Sequence, residues 1–374
     1  MMHHGGAEVT ETHGGRGWIG MFLTVIVGAW IANSSFAEAS PFVYVSVSGE
    51  QRIDVYSIDS ASGALSKSSE APVDGAPGAL TTDPARKFLF AAFRPEGRLL
   101  NFAIDAKTGA LTEHSRTDAK IDPAHLSLDV SGQYLMAAYY PGGEISLHKL
   151  DPDRRLPILG AWHRTAVNAH AVVPHPRTNS FVYVPHTSSE RIFQFRFDSK
   201  AGVLTPHTTP YILTPDRTGP RHLVFHPTLD HCYVSNEQGG SVSHYQCDPK
   251  IGHLILVEVV STLPVDFTGD NATSEIRIRP GGKHLYVGNR GHDSLAGFSI
   301  DPMSGRLIPI GQFSTEANPR SFDIDPTGKF LYSAGESSGR ISAYKIDDAT
   351  GELRRFAEYE AGSRPWWVHC INTP

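Results

Sequence analysis

Cysteine is scarce in this chain. The sequence of 374 residues contains three, Cys232, Cys247 and Cys370. Three cysteines cannot form a fully paired disulfide framework, and none stands in a C-x-x-C pair, so neither a zinc knuckle nor a thioredoxin-type redox site is predicted. We therefore interpret all three as small, buried apolar side chains.

The chain also lacks a positive charge excess and the short motifs of common cofactor sites. Lysine and arginine number 33 against 39 aspartates and glutamates, a net charge of -6, which argues against a nucleic-acid-binding surface. There is no HExxH motif, phosphate-binding loop, dinucleotide fingerprint or nucleophile elbow, and the 19 histidines show no helical ligand spacing. We expect no cofactor and no metal, with a weakly bound divalent metal as the alternative.

One apolar run, GWIGMFLTVIVGAWIA at residues 17–32, differs from the rest of the chain. Its 16 residues are few for a membrane span but suit a signal-peptide core, with Arg16 before it and a small-x-small sequence at 35–37 after it. We predict a secretory signal at 1–37 and an exported protein, periplasmic or extracellular. An uncleaved membrane anchor is one alternative. Translation from Met21, which would leave a poor signal and a cytoplasmic protein, is the other.

An aspartate recurs through the rest of the chain at spacings of 46 to 53 residues. Its seven copies are Asp59, Asp105, Asp151, Asp198, Asp248, Asp301 and Asp347. A glycine follows four residues later in six copies, and the third copy has Arg155 there instead. Aspartate can bond its own backbone and glycine accepts positive φ, so each copy predicts a β-hairpin. Seven hairpins at a period of about 46 residues predict a repeat of four-stranded blades.

The strand pattern predicts how these blades form a closed ring. First strands begin near six residues, Gly78, Ala124, His170, Arg221, Ser274 and Arg320. The N-terminal blade has no first strand before Phe42, but an additional strand occurs at residues 365–371. We predict an all-β, seven-bladed β-propeller, a single domain over 38–374 whose C-terminal strand joins the N-terminal blade and closes the ring. Two longer repeats add residues around 205–219 and 260–272, which we predict to be loops between blades.

A similar turn joins the first two strands of each full repeat. In several copies an aspartate or histidine precedes a proline, as in Asp83-Pro84 and His226-Pro227. Because either side chain can cap the turn, we assign these residues, including His175 and His226, to structure rather than to chemistry.

Function is best sought where the repeats break their own pattern. The first strand of a propeller blade lines the central channel, so the six first-strand residues form a ring at one mouth, with His170, Arg221 and Arg320 as its basic members. A second ring, at the end of the antiparallel second strand, consists of Ser48, Arg94, Tyr140, Thr187, Glu237, Arg290 and Glu336. Strand direction predicts that Glu237 and Arg290 share one space with the basic members of the first ring.

These residue types suit hydrolysis of an anionic ester or lactone. Arginine binds carboxylate or phosphate in a bidentate fork and can stabilise an oxyanion. His170 or Glu237 could take a proton from water, and the choice depends on environments that shift their pKa values. The alternative is that each residue is an ordinary salt-bridge or loop-capping side chain.

Several motifs resemble a known family, the seven-bladed lactonases. They are GPRHLVFHP at 219–227, YVSNE at 233–237, YVGNR at 286–290, NPRSFDID at 318–325 and GSRPWWV at 362–368. That family includes propeller-type 6-phosphogluconolactonases and fungal carboxy-cis,cis-muconate cyclases, and the resemblance covers about residues 41–372. It implies metal-independent lactone chemistry on a small anionic sugar or muconate derivative.

The resemblance also implies site residues. The catalytic set of the cyclase branch falls by motif on His170, Arg221, Glu237 and Arg290. Arg277 lies close by in the sequence and competes with Arg290 for the last place. The candidates for substrate binding are Arg320, Arg277 and His222.

Three functions follow from these observations. The first is a lactonase similar to 6-phosphogluconolactonase, acting as a monomer on a small anionic sugar lactone. The second is an enzyme that cyclises or opens a muconate, and the third is a binding propeller without catalysis. We adopt the first. An export signal is untypical of the phosphogluconolactonase branch, which serves a cytosolic pathway, so the specific lactone stays open.

Overall fold

A computed structural model of the chain describes residues 41–156 and 160–374. The predicted secretory signal at 1–37 lies outside the described residues. Within the two described ranges, no helix is long and apolar enough to cross a membrane.

The described residues form β-strands grouped into seven four-stranded sheets, or blades. Blades 1 and 2 contain β1 (Pro41–Val47), β2 (Arg52–Ile58), β3 (Leu65–Pro72), β4 (Pro77–Thr82), β5 (Phe88–Phe93), β6 (Arg98–Ile104) and β7 (Leu111–Asp118). Blades 3 and 4 contain β8 (Pro123–Leu128), β9 (Tyr134–Tyr139), β10 (Glu144–Lys149), β11 (Ala161–Arg164), β12 (Val173–Pro174), β13 (Phe181–His186), β14 (Arg191–Asp198) and β15 (Val203–Leu213). Blades 5 and 6 contain β16 (Pro220–Phe225), β17 (His231–Asn236), β18 (Ser241–Cys247), β19 (Leu254–Ser261), β20 (Ala272–Ile278), β21 (His284–Arg290), β22 (Ser294–Ile300) and β23 (Leu307–Ser314). Blade 7 contains β24 (Pro319–Ile324), β25 (Phe330–Gly335), β26 (Arg340–Ile346) and β27 (Leu353–Glu360), and the last strand is β28 (Pro365–Asn372).

The sheet order closes the ring through the C-terminal strand. Blades 2 to 7 each use four consecutive strands, whereas blade 1 has the order β28-β1-β2-β3. The strand β28 runs antiparallel to β1, with Phe42 opposite Ile371 and Val45 opposite Val368. The prediction of an all-β, seven-bladed propeller closed by its last strand is confirmed.

The recurring aspartate forms the predicted hairpin between the third and fourth strands of a blade. In the sixth copy, Asp301 Oδ1 accepts a hydrogen bond from the backbone N–H of Ser304 at 2.7 Å, and Gly305 adopts a φ of 69°. The glycine also permits close packing, because a Cβ at Gly252 would lie 2.3 Å from the ring of Phe181 in the preceding blade. Each such hairpin is therefore part of an interface between blades.

A tyrosine of the second strand fastens this interface. The hydroxyl of Tyr233 donates a hydrogen bond to the carbonyl of Gly305 in the next blade at 2.6 Å. The same bond joins Tyr44 to Gly109, Tyr183 to Gly252, Tyr286 to Gly351 and Tyr332 to Gly63. Buried apolar clusters fill the space between blades, as Tyr286 and Phe322 do between blades 6 and 7. The core is thus distributed around the ring, and each blade is held by its neighbours.

The proline turns also match the prediction. Asp83 Oδ1 accepts hydrogen bonds from the N–H groups of Lys87 and Phe88, both at 2.8 Å. His226 Nδ1 accepts one from Leu229 N–H at 2.9 Å, and His175 Nδ1 accepts from two backbone N–H groups at 3.3 Å. The three cysteines are buried and free, as predicted.

Two details of blade 4 differ from the prediction. Residues 205–213 are not a loop but part of β15, and the pairing of β15 with β14 skips from Pro206 to Tyr211. The additional residues form a bulge in an outer strand, where neighbouring blades impose no fixed length. The first strand of blade 4 is also short, because β12 covers only Val173–Pro174 and His170 precedes it. The other insertion, between β19 and β20, is a loop as predicted.

Candidate active site

A β-bulge at the start of the first strand brings two consecutive side chains into the channel mouth. In blade 5 the register shifts between Pro220 and Leu223, so Arg221 and His222 together oppose a single residue of β17, Ser235. A bulge of this kind re-aims the side chains that it carries. Arg221 and His222 are 1% and 3% exposed. Both belong to one cluster of side chains around the channel axis, and this cluster is arranged in two layers.

Gly219 determines where this bulged strand begins. Its φ is 60°, and a Cβ would lie 2.8 Å from the carbonyl oxygen of Thr187. The carbonyl of Gly219 accepts a hydrogen bond from the N–H of Glu237 at 2.7 Å. The end of the second strand is thereby tied to the start of the first, which holds Glu237 beside Arg221.

Glu237 lies between two arginines. Its Oε2 is 3.1 Å from Nε of Arg221, and its Oε1 is 3.1 Å from Nη2 of Arg290. Arg290 is anchored by hydrogen bonds to the carbonyls of Ala272 at 3.2 Å and Thr273 at 3.3 Å. Burial raises the pKa of Glu237, but the charges of Arg221 and Arg290 outweigh it and lower the pKa below its ordinary value. The carboxylate is therefore ionised at neutral pH, and Oε2 and the Nε of Arg221 that faces it have no hydrogen-bond partner among the described residues.

His170 enters the same layer from blade 4. It is 4% exposed, its ring centroid lies 5.5 Å from that of Tyr140, and the ring of His222 is 4.9 Å away. Its Nδ1 has no hydrogen-bond partner among the residues that the structure describes. Burial and then the charge of Arg221 hold the pKa of His170 well below its usual value. The imidazole is therefore neutral at pH 7, which is the protonation state that a general base needs.

The buried arginines influence one another. Burial, followed by the charge of Arg290, lowers the pKa of Arg221 to about 10. Burial and the charge of Arg221 likewise lower the pKa of Arg320 well below its usual range. Arg221 nevertheless remains a cation at neutral pH, and a desolvated cation interacts more strongly with an anion than an exposed one does.

A second layer of side chains lies below the layer of Arg221, Glu237 and His170. It contains His222 and Arg277, two of the three residues predicted to bind the substrate. Glu275 is fully buried, and its Oε1 is 3.0 Å from both His222 Nδ1 and Arg277 Nη1. Arg277 Nε donates to Asp323 Oδ1 at 3.1 Å. Arg277 thus forms ion pairs with the carboxylates of Glu275 and Asp323, and it is Arg290 that lies beside Glu237.

His222 connects the two layers. Its Nδ1 lies 3.3 Å from Nη1 of Arg221 above it, and its ring is 5.4 Å from that of His125 and 5.8 Å from that of Trp367. These rings come from three blades, which places the second layer on the channel axis. Within the described part of the chain, no group of three or more histidine, cysteine or acidic side chains could hold a metal ion.

Arg320 lies on the other side of the mouth. Its guanidinium carbon is 3.9 Å from the ring centroid of Trp366, and its Nη1 is 3.6 Å from Glu336 Oε2. Arg94, another member of the second ring, lies 5.5 Å from the same indole and pairs with Asp122. The mouth therefore has two arginine-rich sides, one on blades 4 to 6 and one on blades 7, 1 and 2.

Trp366 was not among the predicted site residues, although the alignment of the repeats indicates it. Pro365-Trp366 aligns with Pro319-Arg320, so the closing strand supplies the seventh member of the first ring. Glu275 was missed for a different reason. It occupies the second residue of the bulge, and a simple alternation of strand faces would direct that residue away from the channel.

Comparison with known proteins identifies the family of the fold. The chain matches the family model "Lactonase, 7-bladed beta-propeller" over residues 42–370. A 6-phosphogluconolactonase of Serratia proteamaculans is 33% identical over 194 residues, 52% of this chain and 58% of that protein. The chain thus spans little more than half the length of the curated relatives it matches.

Solved structures agree on the fold. The periplasmic gluconolactonase PpgL of Pseudomonas aeruginosa is 25% identical with a TM-score of 0.82, covering 90% of this chain and 99% of that one. A Bacteroides fragilis protein has the same TM-score of 0.82 at 23% identity, with 90% and 99% of the two chains covered.

Proposed function

Because this chain belongs to the lactonase family of seven-bladed β-propellers, we propose that it hydrolyses a sugar-derived lactone at the channel mouth. The observation that carries the proposal is the cluster in which Glu237 lies between Arg221 and Arg290, with the neutral imidazole of His170 in the same layer. The names of the relatives, a 6-phosphogluconolactonase and a periplasmic gluconolactonase, support the same reaction.

In the proposed reaction, water attacks the lactone carbonyl carbon while His170 accepts a proton from the water. The carbonyl oxygen gains negative charge, which the guanidinium groups of Arg221 and Arg290 stabilise. The intermediate then collapses, the ring C–O bond breaks, and the imidazolium of His170 returns the proton to the leaving alkoxide. Losing one oxyanion donor typically costs about 3–4 kcal/mol of transition-state stabilisation, and a general base contributes about 10²–10⁴ in rate.

His170 is a better base than Glu237 for this role. Glu237 forms ion pairs with Arg221 and Arg290, so protonating it would leave two buried arginines without their charge partner. His170 is neutral, and its Nδ1 has no partner among the described residues. We assign Glu237 the task of holding the two arginines in position.

We propose that the substrate is a small sugar lactone and that the protein acts outside the cytoplasm as a monomer. The apolar run at 17–32 supports a leader at 1–37 followed by the propeller at 38–374. The periplasmic relative supports export in the same way. A phosphorylated lactone is seldom available outside the cytoplasm, so a neutral and a phosphorylated substrate are both included in the test.

Hydrolysis of 6-phosphoglucono-1,5-lactone and of glucono-1,5-lactone by the purified protein tests the proposal. We expect a rate above that of buffer for at least one lactone, unaffected by EDTA. His170→Gln and Glu237→Gln should each lower kcat/KM about 100-fold or more. The matched control is Glu358→Gln, a change of the same kind on an outer strand of blade 7.

A wild-type rate no greater than that of buffer with both lactones would contradict the proposal. The fold would then serve as a binding propeller, and the mouth residues would be candidates for ligand capture. Circular dichroism of each variant distinguishes a lost reaction from a lost fold.

A further inference from the structure

A cavity of about 420 Å³ opens at the mouth on blades 7, 1 and 2. Its lining includes Gly78, Arg94, Asp122, Arg320, Arg364 and Trp366. Gly78 takes the position in its blade that Arg221 takes in blade 5, and a Cβ there would lie 3.4 Å from Cγ of Arg94. The proposed reaction groups of blades 4 to 6 lie across the channel.

Positive charge exceeds negative charge in this cavity. Arg94 pairs with Asp122, whereas Arg320 and Arg364 share one carboxylate, Glu336, at 3.6 and 3.7 Å. Three guanidinium groups thus face two carboxylates, and the two that share Glu336 are held at long distances. Such a set has guanidinium N–H donors left for an additional anion.

Trp366 gathers the three arginines around one indole. The guanidinium carbons of Arg320, Arg364 and Arg94 lie 3.9, 5.3 and 5.5 Å from a ring centroid of Trp366. Cations within about 6 Å of an aromatic centroid are attracted to its face. The indole therefore keeps the three guanidinium groups near one point. This reduces the conformational entropy that the arginine side chains lose when a ligand binds.

The backbone of Arg364 adds a separate observation. In three other blades the residue before the first-strand proline adopts the left-handed conformation, with φ of 67° at Asp122, 60° at Gly219 and 58° at Asn318. Aspartate, glycine and asparagine tolerate that conformation, and arginine does not favour it. Arg364 adopts it with a φ of 54°. Arg86, Arg154 and Arg217 adopt the same conformation, so the backbone of Arg364 serves to choose a test variant, Arg364→Asn, that suits the left-handed region.

We propose that this cavity is an anion-binding subsite that holds a phosphate or carboxylate group carried by the lactone, at the end away from the ester that is hydrolysed. The proposal rests on the function proposed above. Tyr140 joins the two sides, since its ring centroid lies 5.9 Å from Arg94 and 5.5 Å from His170. An anion held by Arg94, Arg320 and Arg364 would direct the lactone ring toward His170.

Calorimetric titration with inorganic phosphate tests the subsite without catalysis. We expect wild-type protein to bind phosphate, and Arg364→Asn to weaken that binding about tenfold or more. The same variant should keep or raise its Tm, because asparagine suits the left-handed conformation. Arg94→Gln should also weaken phosphate binding. The control is Arg354→Gln on the exposed outer strand of blade 7, which should change neither quantity.

Kinetics supply the second measurement. In Arg364→Asn the ratio of the KM for 6-phosphoglucono-1,5-lactone to the KM for glucono-1,5-lactone should rise about tenfold, a shift that lost folding would not produce. Phosphate binding that is absent, or equal in wild type and Arg364→Asn, overturns the subsite even if lactones are hydrolysed. Phosphate binding that depends on Arg364 in a protein that hydrolyses no lactone supports the subsite and contradicts the proposed function.

Discussion

Burial strengthens the electrostatic effect of the Arg221 charge on its neighbours. It is 1% exposed, forms an ion pair with Glu237 at 3.1 Å and lies against the ring of His222. Since water is largely excluded there, the charge acts on a neighbouring oxyanion through a low dielectric. The same burial makes Arg221 dependent on Glu237, because a buried cation without its partner is strongly destabilising.

His222 makes the stability of the protein depend on pH. Burial and then the charge of Arg221 lower the pKa of His222 to about 4, whereas histidine in an unfolded chain titrates near ~6.5. Between these values the unfolded state binds a proton that the folded state does not, so stability rises with pH. We expect the free energy of unfolding to fall by up to about 1.4 kcal/mol per pH unit, from this residue alone, as the pH drops from ~6.5 toward 4.

Urea unfolding at pH 8, 7, 6 and 5 measures this effect in wild type and His222→Gln. Glutamine can still donate a hydrogen bond to Glu275 but does not titrate. The variant should show a smaller loss of stability between pH 6 and 5, and the two proteins should behave alike between pH 8 and 7. Equal slopes at all four pH values would contradict the assignment.

The alignment of repeats predicted some site residues and not others for a physical reason. Glu237, Arg290 and Arg221 could be brought together because strand direction and repeat register alone place them at one mouth. Burial, on which the choice of His170 as the base depends, is a property of the folded ring. The contact of Arg364 with Trp366 depends on the path of the arginine side chain, which the alignment of repeats does not give.

The Asp-Gly hairpin and the tyrosine of the adjacent blade act as one element. Where the hairpin glycine is replaced by Arg155, the corresponding position of the preceding blade is Phe90, which has no hydroxyl to donate. The amide of Asn101 instead donates to the carbonyl of Arg154 in that hairpin. Both residues are replaced at this junction, so blades 2 and 3 are fastened differently, whereas blade 3 has Met136 at the tyrosine position although Gly202 is kept in blade 4.

Tyr233→Phe tests this fastening. The change removes the hydrogen bond to the Gly305 carbonyl and should lower the free energy of unfolding by about 0.5–1.5 kcal/mol. Tyr134→Phe is the matched control, because the buried hydroxyl of Tyr134 has no hydrogen-bond partner among the described residues. Chemical denaturation of both variants should show a loss at position 233 and little or no loss at 134. Equal effects would mean that the hydroxyl bond does not fasten the blades.

The sequence predicted elements well where neighbouring blades constrain them. The hairpins form at the predicted positions because each must meet a partner at a fixed distance around the ring. The misplaced segment, 205–213, lies in an outer strand, where a bulge near Tyr211 lengthens the strand without disturbing another blade. Outer strands therefore carry changes in length that sequence spacing alone assigns to loops.

At the scale of the whole molecule, the last strand has two tasks. It provides the inner strand of blade 1, with Val368 and Ile371 buried, and it provides Trp366 to the cavity at the mouth. Without β28, the apolar strand β1 would present an unpaired edge to the channel. Such an edge favours pairing with other chains. Ring closure and the proposed anion subsite therefore depend on the same segment.

Deletion of residues 365–374 should prevent formation of a stable monomer. It removes the side chains of Trp367, Val368 and Ile371 from the core, each worth about 1.5–3 kcal/mol when fully buried, and frees the edge of β1. Size-exclusion chromatography should find the shortened protein aggregated.

A circular permutant separates loss of the strand from loss of a native terminus. Because Asn372 pairs with Pro41, a short linker can join them, with new ends at Gly362 and Ser363. The permutant should be monomeric with a Tm near that of the wild type, since the ring is again complete. A shortened chain that stays monomeric and unfolds at the wild-type temperature would mean that blade 1 is stable with three strands.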